Sequence, residues 1–285
     1  MFIKKLGYRL ALLGLFICSV AGAAEPNLVR VPDGRMLAPD IARIINRGEL
    51  VVAILKSNTP PFVDEKNGRL VGVDIDIVER VGRELKVPVR YDRSSNTYDE
   101  VTELVAAGKA DLGVSKLART LKRAQSVLFS TPYMNLEHAL LMNRLGFAEM
   151  AQQKNIATAV KTFDGKIGVL AGSAWVEFAK RNFPQAVVVP YPTWPEAVNA
   201  AKTGEVVAAY RDAVEVRKIM LTDATLAITL RTVTFNDLHS LLCVMVGSRD
   251  TVLLSFVNEI VAGQTVKLTS SELINKMKAE QHEHK

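Results

Sequence analysis

Residues 50–55, with the sequence LVVAIL, form a run of six apolar residues that is typical of a strand buried on both faces. A proline-rich turn follows, and residues 75–85 then place apolar side chains at the spacing of one helical face. The segment 87–91, with the sequence VPVRY, again favours a strand. Because a strand, a helix and a second strand in this order form a parallel βαβ unit, this stretch predicts a fold of the α/β class.

The same alternation of strands and helices continues along the chain. A helix is predicted over residues 98–107, ended by Gly108, and a strand over residues 110–114. After a polar stretch the pattern begins again, with strands predicted at 166–170, 186–189 and 206–210 and helices at 174–182 and 194–203. Since the pattern occurs twice, the sequence predicts two α/β lobes of similar size, each a sheet flanked by helices. Two more helices are predicted at 253–262 and 271–278, before a polar C-terminal tail.

The composition excludes several classes of protein. The chain has 285 residues, of which 48% are hydrophobic and 23% are charged, and this balance indicates a folded globular protein rather than a disordered or collagen-like one. It has two cysteines, Cys18 and Cys243, which excludes a small disulfide-stapled fold. Cys243 lies in the apolar run 241–246 and is predicted to be a core residue.

The first residues of the chain have the features of a secretory signal peptide. Three basic residues precede the apolar run 10–20, and the small residues Ala21, Gly22 and Ala23 follow it. The run is too short for a membrane anchor, which needs about 20 residues. We therefore expect a cleaved signal peptide over residues 1–23 and a periplasmic protein. The remaining chain has 33 basic against 30 acidic residues and no cluster of basic and aromatic residues, so nucleic-acid binding is not indicated.

The sequence contains none of the common catalytic or metal-binding patterns. There is no phosphate-binding glycine-rich loop, no nucleophile elbow, no helical pair of histidines and no set of cysteine pairs at zinc spacing. His282 and His284 lie in the terminal tail and are interpreted as solvated side chains. Asp74 and Asp76 are expected to cap and charge-match the helix that follows them. The sequence thus predicts a protein without catalytic residues, metal ligands or cofactors.

Short motifs follow one another in order between about residues 48 and 280. They are GELVVA at 48–53, PPF at 60–62, LVGVDID at 70–76, GKADL at 108–112, TLKR at 120–123, FSTPY at 129–133, FDGKIGV at 163–169, GS at 172–173 and AAYRD at 208–212. Their ordered succession resembles that of the family 3 periplasmic solute-binding proteins, which deliver amino acids and related polar solutes to ABC importers.

This resemblance implies the type II periplasmic-binding-protein fold, in which two hinge strands join two lobes and the ligand lies between them. The first lobe would comprise residues 24–138 and, after the chain returns, residues 234–285 with the polar tail; the second would comprise residues 139–233. Hinge crossings are expected near residues 136–141 and 228–234. The implied function is closure around a carboxylate-bearing polar solute, preferably an amino acid, and its delivery to the permease of an ABC importer in the inner membrane. The protein is expected to act as a monomer.

The resemblance also assigns residues to the ligand site. Arg123 matches the family's carboxylate-binding arginine, whose guanidinium can hold a carboxylate with two parallel hydrogen bonds. Asp212, in the other lobe, matches the acidic partner of the ligand's amino group, and Tyr98 corresponds to an aromatic residue that walls the ligand. Thr59 stands in a loop expected to border the cleft, and Ser173 opens a helix whose N–H groups suit a carboxylate. The alternatives are a solvated position for Arg123, a capping role for Asp212 and a core position for Tyr98.

Other residues at the predicted site depart from the family pattern. Ala118 and Ala174 occupy positions where amino-acid-binding relatives usually carry hydroxyl groups, so two expected hydrogen bonds are missing. Lys116 and Arg119 add positive charge close to Arg123 in the sequence. These departures suggest an anionic ligand, such as an acidic amino acid or a dicarboxylate. A surface location for Lys116 and Arg119 is the alternative.

Two other functions are compatible with the resemblance. Some relatives are periplasmic dehydratases of prephenate-like acids, and Glu177 and His138 are the candidates for the general acid that this chemistry requires. Other relatives are accessory or sensory proteins, for example partners of periplasmic quinoprotein dehydrogenases, in which the missing hydroxyl groups would be tolerated. A transport receptor without enzymatic activity is the preferred interpretation.

Overall fold

A computed structural model describes residues 27–150, 162–263 and 272–273, which form two five-stranded sheets with helices packed against them. The predicted α/β class and the two lobes, each a sheet flanked by helices, are confirmed. The predicted signal peptide, the polar tail and most of the helix predicted at 271–278 lie outside the described residues.

The strands and helices alternate along most of the chain. The strands are β1 Val29–Arg30, β2 Met36–Leu37, β3 Leu50–Leu55, β4 Asp64–Lys66, β5 Arg69–Val71, β6 Val89–Ser95, β7 Leu112–Gly113, β8 Val127–Phe129, β9 Met134–Asn143, β10 Lys166–Leu170, β11 Val187–Tyr191, β12 Ala208–Asp212, β13 Leu230–Leu242 and β14 Met245–Gly247. The helices are α1 Pro39–Arg47, α2 Val73–Leu85, α3 Tyr98–Ala106, α4 Arg144–Met150, α5 Ala174–Asn182, α6 Trp194–Thr203, α7 Ala213–Thr222 and α8 Thr251–Ala262, and Arg123–Gln125 and Ala224–Ile228 are short 3-10 helices.

The first sheet is the centre of the first lobe and has the strand order β6-β3-β7-β14-β8. β3 pairs in parallel with β6 and β7, whereas β14 runs antiparallel to β7 and β8. Every residue of β3 is buried because successive side chains point to opposite faces and both faces are covered. Leu50, Val52 and Ile54 pack in one cluster with α1 and α2, while Val51 and Ala53 pack in another with α3.

The second sheet is the centre of the second lobe and has the strand order β11-β10-β12-β9-β13. β10 is parallel to β11 and β12, and β9 is antiparallel to β12 and β13. Trp175 and Phe178 of α5 belong to the apolar cluster on one face, and Ala197 and Ala201 of α6 belong to the cluster on the other. β10 is followed by α5 and β12 by α7, and the acidic residues in the first turns of these helices, Glu177 and Glu215, contact the other lobe.

Two long strands, β9 and β13, connect the lobes. Residues 230–234 of β13 pair with residues 139–143 of β9 inside the second sheet. After a register shift, residues 239–242 pair with residues 134–137, and the backbone at this end also bonds to the first lobe. The two strands thus form a ribbon that both lobes share.

The predicted hinge crossings can be compared with this ribbon. The stretch 136–141 lies within β9 and includes the position of the register shift. The stretch 228–234 precedes the register shift of β13, which lies between Thr234 and His239. The second crossing between the lobes therefore follows this stretch. The lobe boundaries at 24–138, 139–233 and 234–285 stay a prediction.

The described residues include Cys243 and no membrane-spanning helix. Cys243 is buried, as predicted, and burial raises the pKa of its thiol to about 12. Among the helices of the described segments, none combines the length and the apolar character needed to cross a bilayer.

Candidate functional site

A small cavity lies between the two lobes. Its volume is about 20 Å³, which is room for about one water molecule. Seven of the eight predicted site residues line this cavity, and Thr59 does not. The seven are Tyr98, Lys116, Ala118, Arg123, Ser173, Ala174 and Asp212. The fold therefore brings them to one place, while their role in binding stays a prediction.

A strained turn holds Lys116 at the cavity. Ser115 and Lys116 follow β7 with φ values of 136° and 57°, in the region that favours glycine. The Asp74 carboxylate, in the first turn of α2, accepts the Lys116 N–H at 2.6 Å and the Tyr133 hydroxyl at 2.7 Å. Asp74 and Asp76 lie in the first turn of α2, as the charge-matching expectation requires, but the capping expectation is wrong, because Gly72 is at the N-cap position and Asp74 bonds to the turn at Lys116 instead. Burial raises the pKa of Asp74.

The Lys116 side chain reaches across the cleft to the second lobe. Its Nζ lies 2.9 Å from Asp212 Oδ1 and 3.1 Å from Glu215 Oε1, and only 4% of the side chain is exposed. Burial alone lowers the pKa of Lys116, but the two carboxylates raise it by more. For Glu215 the signs are reversed: burial raises the pKa of its carboxyl group, and the positive charges of Lys116 and Arg211 lower it by more. Lys116 and Glu215 are thus charged at neutral pH, and Lys116 links the two lobes.

The structure separates the two added cations of the sequence. Lys116 is buried in the cavity, whereas Arg119 is exposed and its guanidinium carbon lies 5.7 Å from the centre of the Phe129 ring. The surface alternative therefore applies to Arg119 and not to Lys116.

Arg123 is a buried cation of the first lobe. Its Nε and Nη2 donate to Asp99 Oδ1 at 3.3 and 3.0 Å, and its Nη1 donates to the carbonyl of Ala118 at 3.1 Å. Burial lowers the pKa of Arg123, and the negative charge of Asp99 partly offsets this effect. A guanidinium has five N–H groups. Within the described part of the chain, these bonds leave two N–H groups for a further acceptor.

Asp212 has a structural and an electrostatic role at once. It is the N-cap of α7, where its Oδ1 accepts the N–H of Glu215 at 3.1 Å, and the same oxygen accepts from Lys116. The carboxylate is 1% exposed. The capping role left open by the sequence is thus present, together with a position on the cavity.

Sequence reasoning missed Arg211 as a cavity residue. Arg211 is buried in β12, its Nη2 donates to the Tyr98 hydroxyl at 3.3 Å, and its guanidinium lies 5.3 Å from the Trp194 ring centre. Its Nε is 3.8 Å from Asp212 Oδ2 and has no hydrogen-bond acceptor among the described residues. The available signal was an arginine in a predominantly apolar strand, which the structure shows to be fully buried. A buried charge is rare unless it is paired or binds a ligand.

The remaining predicted residues occupy three environments. Ser173 caps α5 by accepting the Trp175 N–H at 3.3 Å, and its hydroxyl donates to the Leu170 carbonyl at 2.6 Å. Ala118 and Ala174 line the cavity as small apolar side chains. Thr59 stands outside the cavity lining, where its N–H donates to the Val63 carbonyl at 2.7 Å.

A larger cavity of about 490 Å³ forms the mouth of the cleft and shares Arg123, Ser173 and Ala174 with the small one. Glu177 of α5 closes one side, because its carboxylate accepts the N–H groups of Leu121 at 2.9 Å and Lys122 at 3.2 Å across the lobes. The cleft can therefore admit a solute at its mouth while its inner part is filled by the protein's own side chains.

His138 lies behind the cavity, on β9. Its two ring nitrogens contact the Tyr210 hydroxyl and, at 2.7 Å, Ser240 Oγ. The ring centre is 4.8 Å from that of Trp175. Burial, with a smaller effect from the positive charge of Arg181, lowers the pKa of His138 to about 3. The imidazole is therefore neutral at physiological pH.

A model of the bacterial extracellular solute-binding proteins, family 3, matches residues 50–280. The arginine-binding periplasmic protein of Mannheimia haemolytica is 23% identical over 162 residues, which are 56% of this chain and 62% of that protein. The glutamine-binding protein GlnH of Bacillus subtilis is 22% identical over 209 residues, which are 71% of this chain and 72% of that protein. This chain thus spans roughly two thirds of the length of these curated relatives.

Solved structures share the two-lobe arrangement. The ancestral amino acid-binding protein AncCDT-1, a precursor of cyclohexadienyl dehydratase, is 26% identical, with a TM-score of 0.61 over 83% of this chain and 98% of that one. An amino acid ABC transporter substrate-binding protein of Streptococcus pneumoniae, bound to L-arginine, is 23% identical, with a TM-score of 0.63 over 82% of this chain and 96% of that one. The expected type II periplasmic-binding-protein fold is confirmed.

Proposed function

Because this chain belongs to the bacterial extracellular solute-binding proteins, family 3, we propose that its cleft binds a small carboxylate-bearing polar solute and passes it to an ABC importer. One observation carries the proposal: Arg123 is a guanidinium 3% exposed, it lines both cavities of the cleft, and it keeps two N–H groups among its described contacts. A buried guanidinium with free donors is a binding group for a carboxylate.

Closure of the lobes is the step that turns binding into a signal. Arg123 belongs to the first lobe, and Ser173 and Asp212 belong to the second. A solute that contacts both lobes stabilises the closed state over the open one by its difference in affinity. The solute must enter when the lobes are apart, since the inner cavity of about 20 Å³ is too small for it. We propose that the secreted monomer meets the permease of its importer in this closed state, at the inner membrane.

We infer that the cleft binds its solute without catalysing a reaction. A dehydratase needs a positioned general acid. His138 is neutral, since its pKa is lowered to about 3, and both of its ring nitrogens are already bonded. The Glu177 carboxylate is engaged by two backbone N–H groups. Neither candidate is therefore poised to donate a proton to a bound acid.

The test is calorimetric titration of the secreted form, refolded free of co-purified solute, with a panel of carboxylates. Arg123→Ala should lower the affinity for the best carboxylate at least 100-fold, because two charge-assisted hydrogen bonds, each worth about 1.5 to 3 kcal/mol, are lost. Arg119→Ala is the matched control, since Arg119 is exposed. The affinity of this variant for the same carboxylate should stay within about twofold of that of the wild type. An Arg123→Ala variant that binds as tightly as the wild type would refute the site.

An accessory role is the second candidate, and one observation favours it. The inner cleft is filled by the ion pairs of Lys116 with Asp212 and Glu215, which hold the lobes together. Leu121, which is 75% exposed, lies beside the mouth of the cleft and offers an apolar contact to a partner. An accessory protein would show no change in melting temperature with any amino acid, polyamine or dicarboxylate, whereas a transport receptor would show a selective rise.

A further inference from the structure

The acidic groups around the inner cavity are all engaged by cations of the protein. Lys116 contacts both Asp212 and Glu215, at 2.9 and 3.1 Å. Asp99 receives Arg123 at 3.0 Å and Lys122 at 2.8 Å. Among the described residues that line or adjoin this cavity, an incoming ammonium group would find no carboxylate that lacks a partner.

The donors at the same cavity are only partly used. Arg211 is 6% exposed, and its Nε is without an acceptor among the described residues. In the described segments, its hydrogen bond is to the Tyr98 hydroxyl, at 3.3 Å. Arg123 adds two unused N–H groups from the opposite lobe. Buried donors of this kind are satisfied by an acceptor, and a carboxylate is the acceptor that matches a guanidinium best.

We propose that this cleft selects small carboxylates that carry no ammonium group, with Lys116 excluding the ammonium and Arg211 acting with Arg123 to hold the anion. The inference rests on the proposed solute-binding function and specifies the chemistry of its solute. Desamino dicarboxylates and hydroxy acids belong to the selected class, and α-amino acids do not.

Lys116 has two advantages over the ammonium group of a solute. Its backbone is held in place by the bond to Asp74 at 2.6 Å, so its ammonium returns to Asp212 each time the lobes close. A tethered group acts at a high effective concentration, which a dilute solute does not reach. Displacement of the Lys116 side chain, which is 4% exposed, would also leave a buried ammonium without its counter-charges.

The mouth of the cleft provides the space that the inner cavity lacks. The outer cavity of about 490 Å³ shares Arg123 and Ser173 with the inner one. A solute can therefore present its carboxylate to Arg123 from the mouth. Arg211 lines only the inner cavity, so it reaches the carboxylate when the lobes separate and this cavity opens.

The experiment compares solutes that differ only by the amine. Glutarate and glutamate, and propionate and alanine, are titrated into the secreted form of the wild-type protein, refolded free of solute. We expect at least one desamino acid to bind at least tenfold more tightly than its amino acid. Equal or tighter binding of the amino acids would overturn the inference and leave the proposed function intact. Binding of neither class would overturn both.

Two variants with matched controls assign the roles of the residues. Lys116→Met should raise the affinity for glutamate at least tenfold relative to that for glutarate, and Lys109→Met, at an exposed lysine, should leave the ratio unchanged. Arg211→Gln should weaken glutarate binding at least tenfold, while Arg217→Gln, at an exposed arginine outside the cavity, should weaken it less than threefold. An unchanged ratio in a folded Lys116→Met protein refutes the role of Lys116. If that variant does not fold, Lys116→Arg, which keeps the cation, must retain the wild-type preference.

Discussion

His138 shows how far the surroundings of one residue can change its chemistry. From the sequence, an isolated histidine near a predicted hinge is a candidate general acid. In the fold it is buried against Trp175 and Phe178, with Tyr210 and Ser240 at its ring nitrogens. Burial is the first cause of its lowered pKa, because a charged imidazole would lose its hydration there.

This burial predicts a pH dependence of stability. The folded pKa of His138 is about 3 against an ordinary value of 6.5, so the unfolded chain binds a proton that the folded chain excludes. The contribution is therefore favourable above pH 6.5 and is lost as the pH falls toward 3. Between pH 7 and pH 5 the wild type should lose about 2 kcal/mol of unfolding free energy more than His138→Gln does. Urea unfolding at both pH values measures the difference, with the exposed His239→Gln as the control; equal losses in wild type and His138→Gln would contradict it.

The contacts of Arg211 and Lys116 could not be predicted from the sequence. Both were visible in the sequence, Arg211 within a conspicuous motif and Lys116 as an added charge. Their partners lie far away in the chain: Tyr98 for Arg211, and Asp212 and Glu215 for Lys116. No local pattern encodes such contacts, since they depend on how two lobes approach each other.

Several helices were predictable with their ends, and the reason is local. α5 and α6 begin and end as predicted, at 174–182 and 194–203. Ser173 and Thr193 at their N-caps accept backbone N–H groups, which are bonds within the first turn. Short-range capping and apolar spacing are both contained in the sequence, so these elements follow from it.

The role of the first turn of α2 was not predictable in the same way. Asp74 and Asp76 look alike in the sequence, but Asp74 is buried and Asp76 is exposed. The Asp74 carboxylate accepts hydrogen bonds from the Lys116 N–H and the Tyr133 hydroxyl. Both partners are distant from Asp74 along the chain. A helix turn thus supports the strained loop after β7.

Removal of this carboxylate should destabilise the first lobe. Asp74→Ala leaves two buried donors without an acceptor, and we expect the free energy of unfolding to fall by about 2 to 3 kcal/mol. Asp76→Ala, at an exposed position of the same turn, should change it by less than about 0.5 kcal/mol. Urea unfolding of both variants provides the measurement. Similar values for the two would mean that the Asp74 bonds do not support the turn.

The two lobes meet at Gly172. Its φ is 59°, and its carbonyl accepts the N–H of Asp99 across the cleft at 3.0 Å. A Cβ atom at this position would lie 2.7 Å from the Cβ of Thr97. Glycine is required here both for its backbone conformation and for the close approach of the lobes.

Gly172→Ala should therefore prevent the lobes from approaching as closely as they do in the wild type. The clash costs about 1 to 3 kcal/mol in the closed state only, so the solute affinity should fall about 10- to 100-fold and the radius of gyration in solution should rise. Gly108→Ala is the control, because Gly108 also has a positive φ, 67°, but nothing within 4 Å of its Cβ position. Calorimetry and small-angle X-ray scattering measure the two effects. A wild-type affinity and radius in Gly172→Ala would show that the closed approach is not needed.

The α/β class, the two repeated sheets, many helix ends and membership of the family could all be predicted from the sequence, because periodicity, caps and ordered motifs are local properties of a chain. The sequence also named seven residues that the fold gathers around one cavity. Which charges meet there could be seen only in the folded protein: the placement of Lys116 against Asp212 and Glu215, the partly unsatisfied Arg211, and the turn held by Asp74. These contacts join segments remote in sequence, and in a site from which water is excluded their energies depend on the distances that the folded lobes impose.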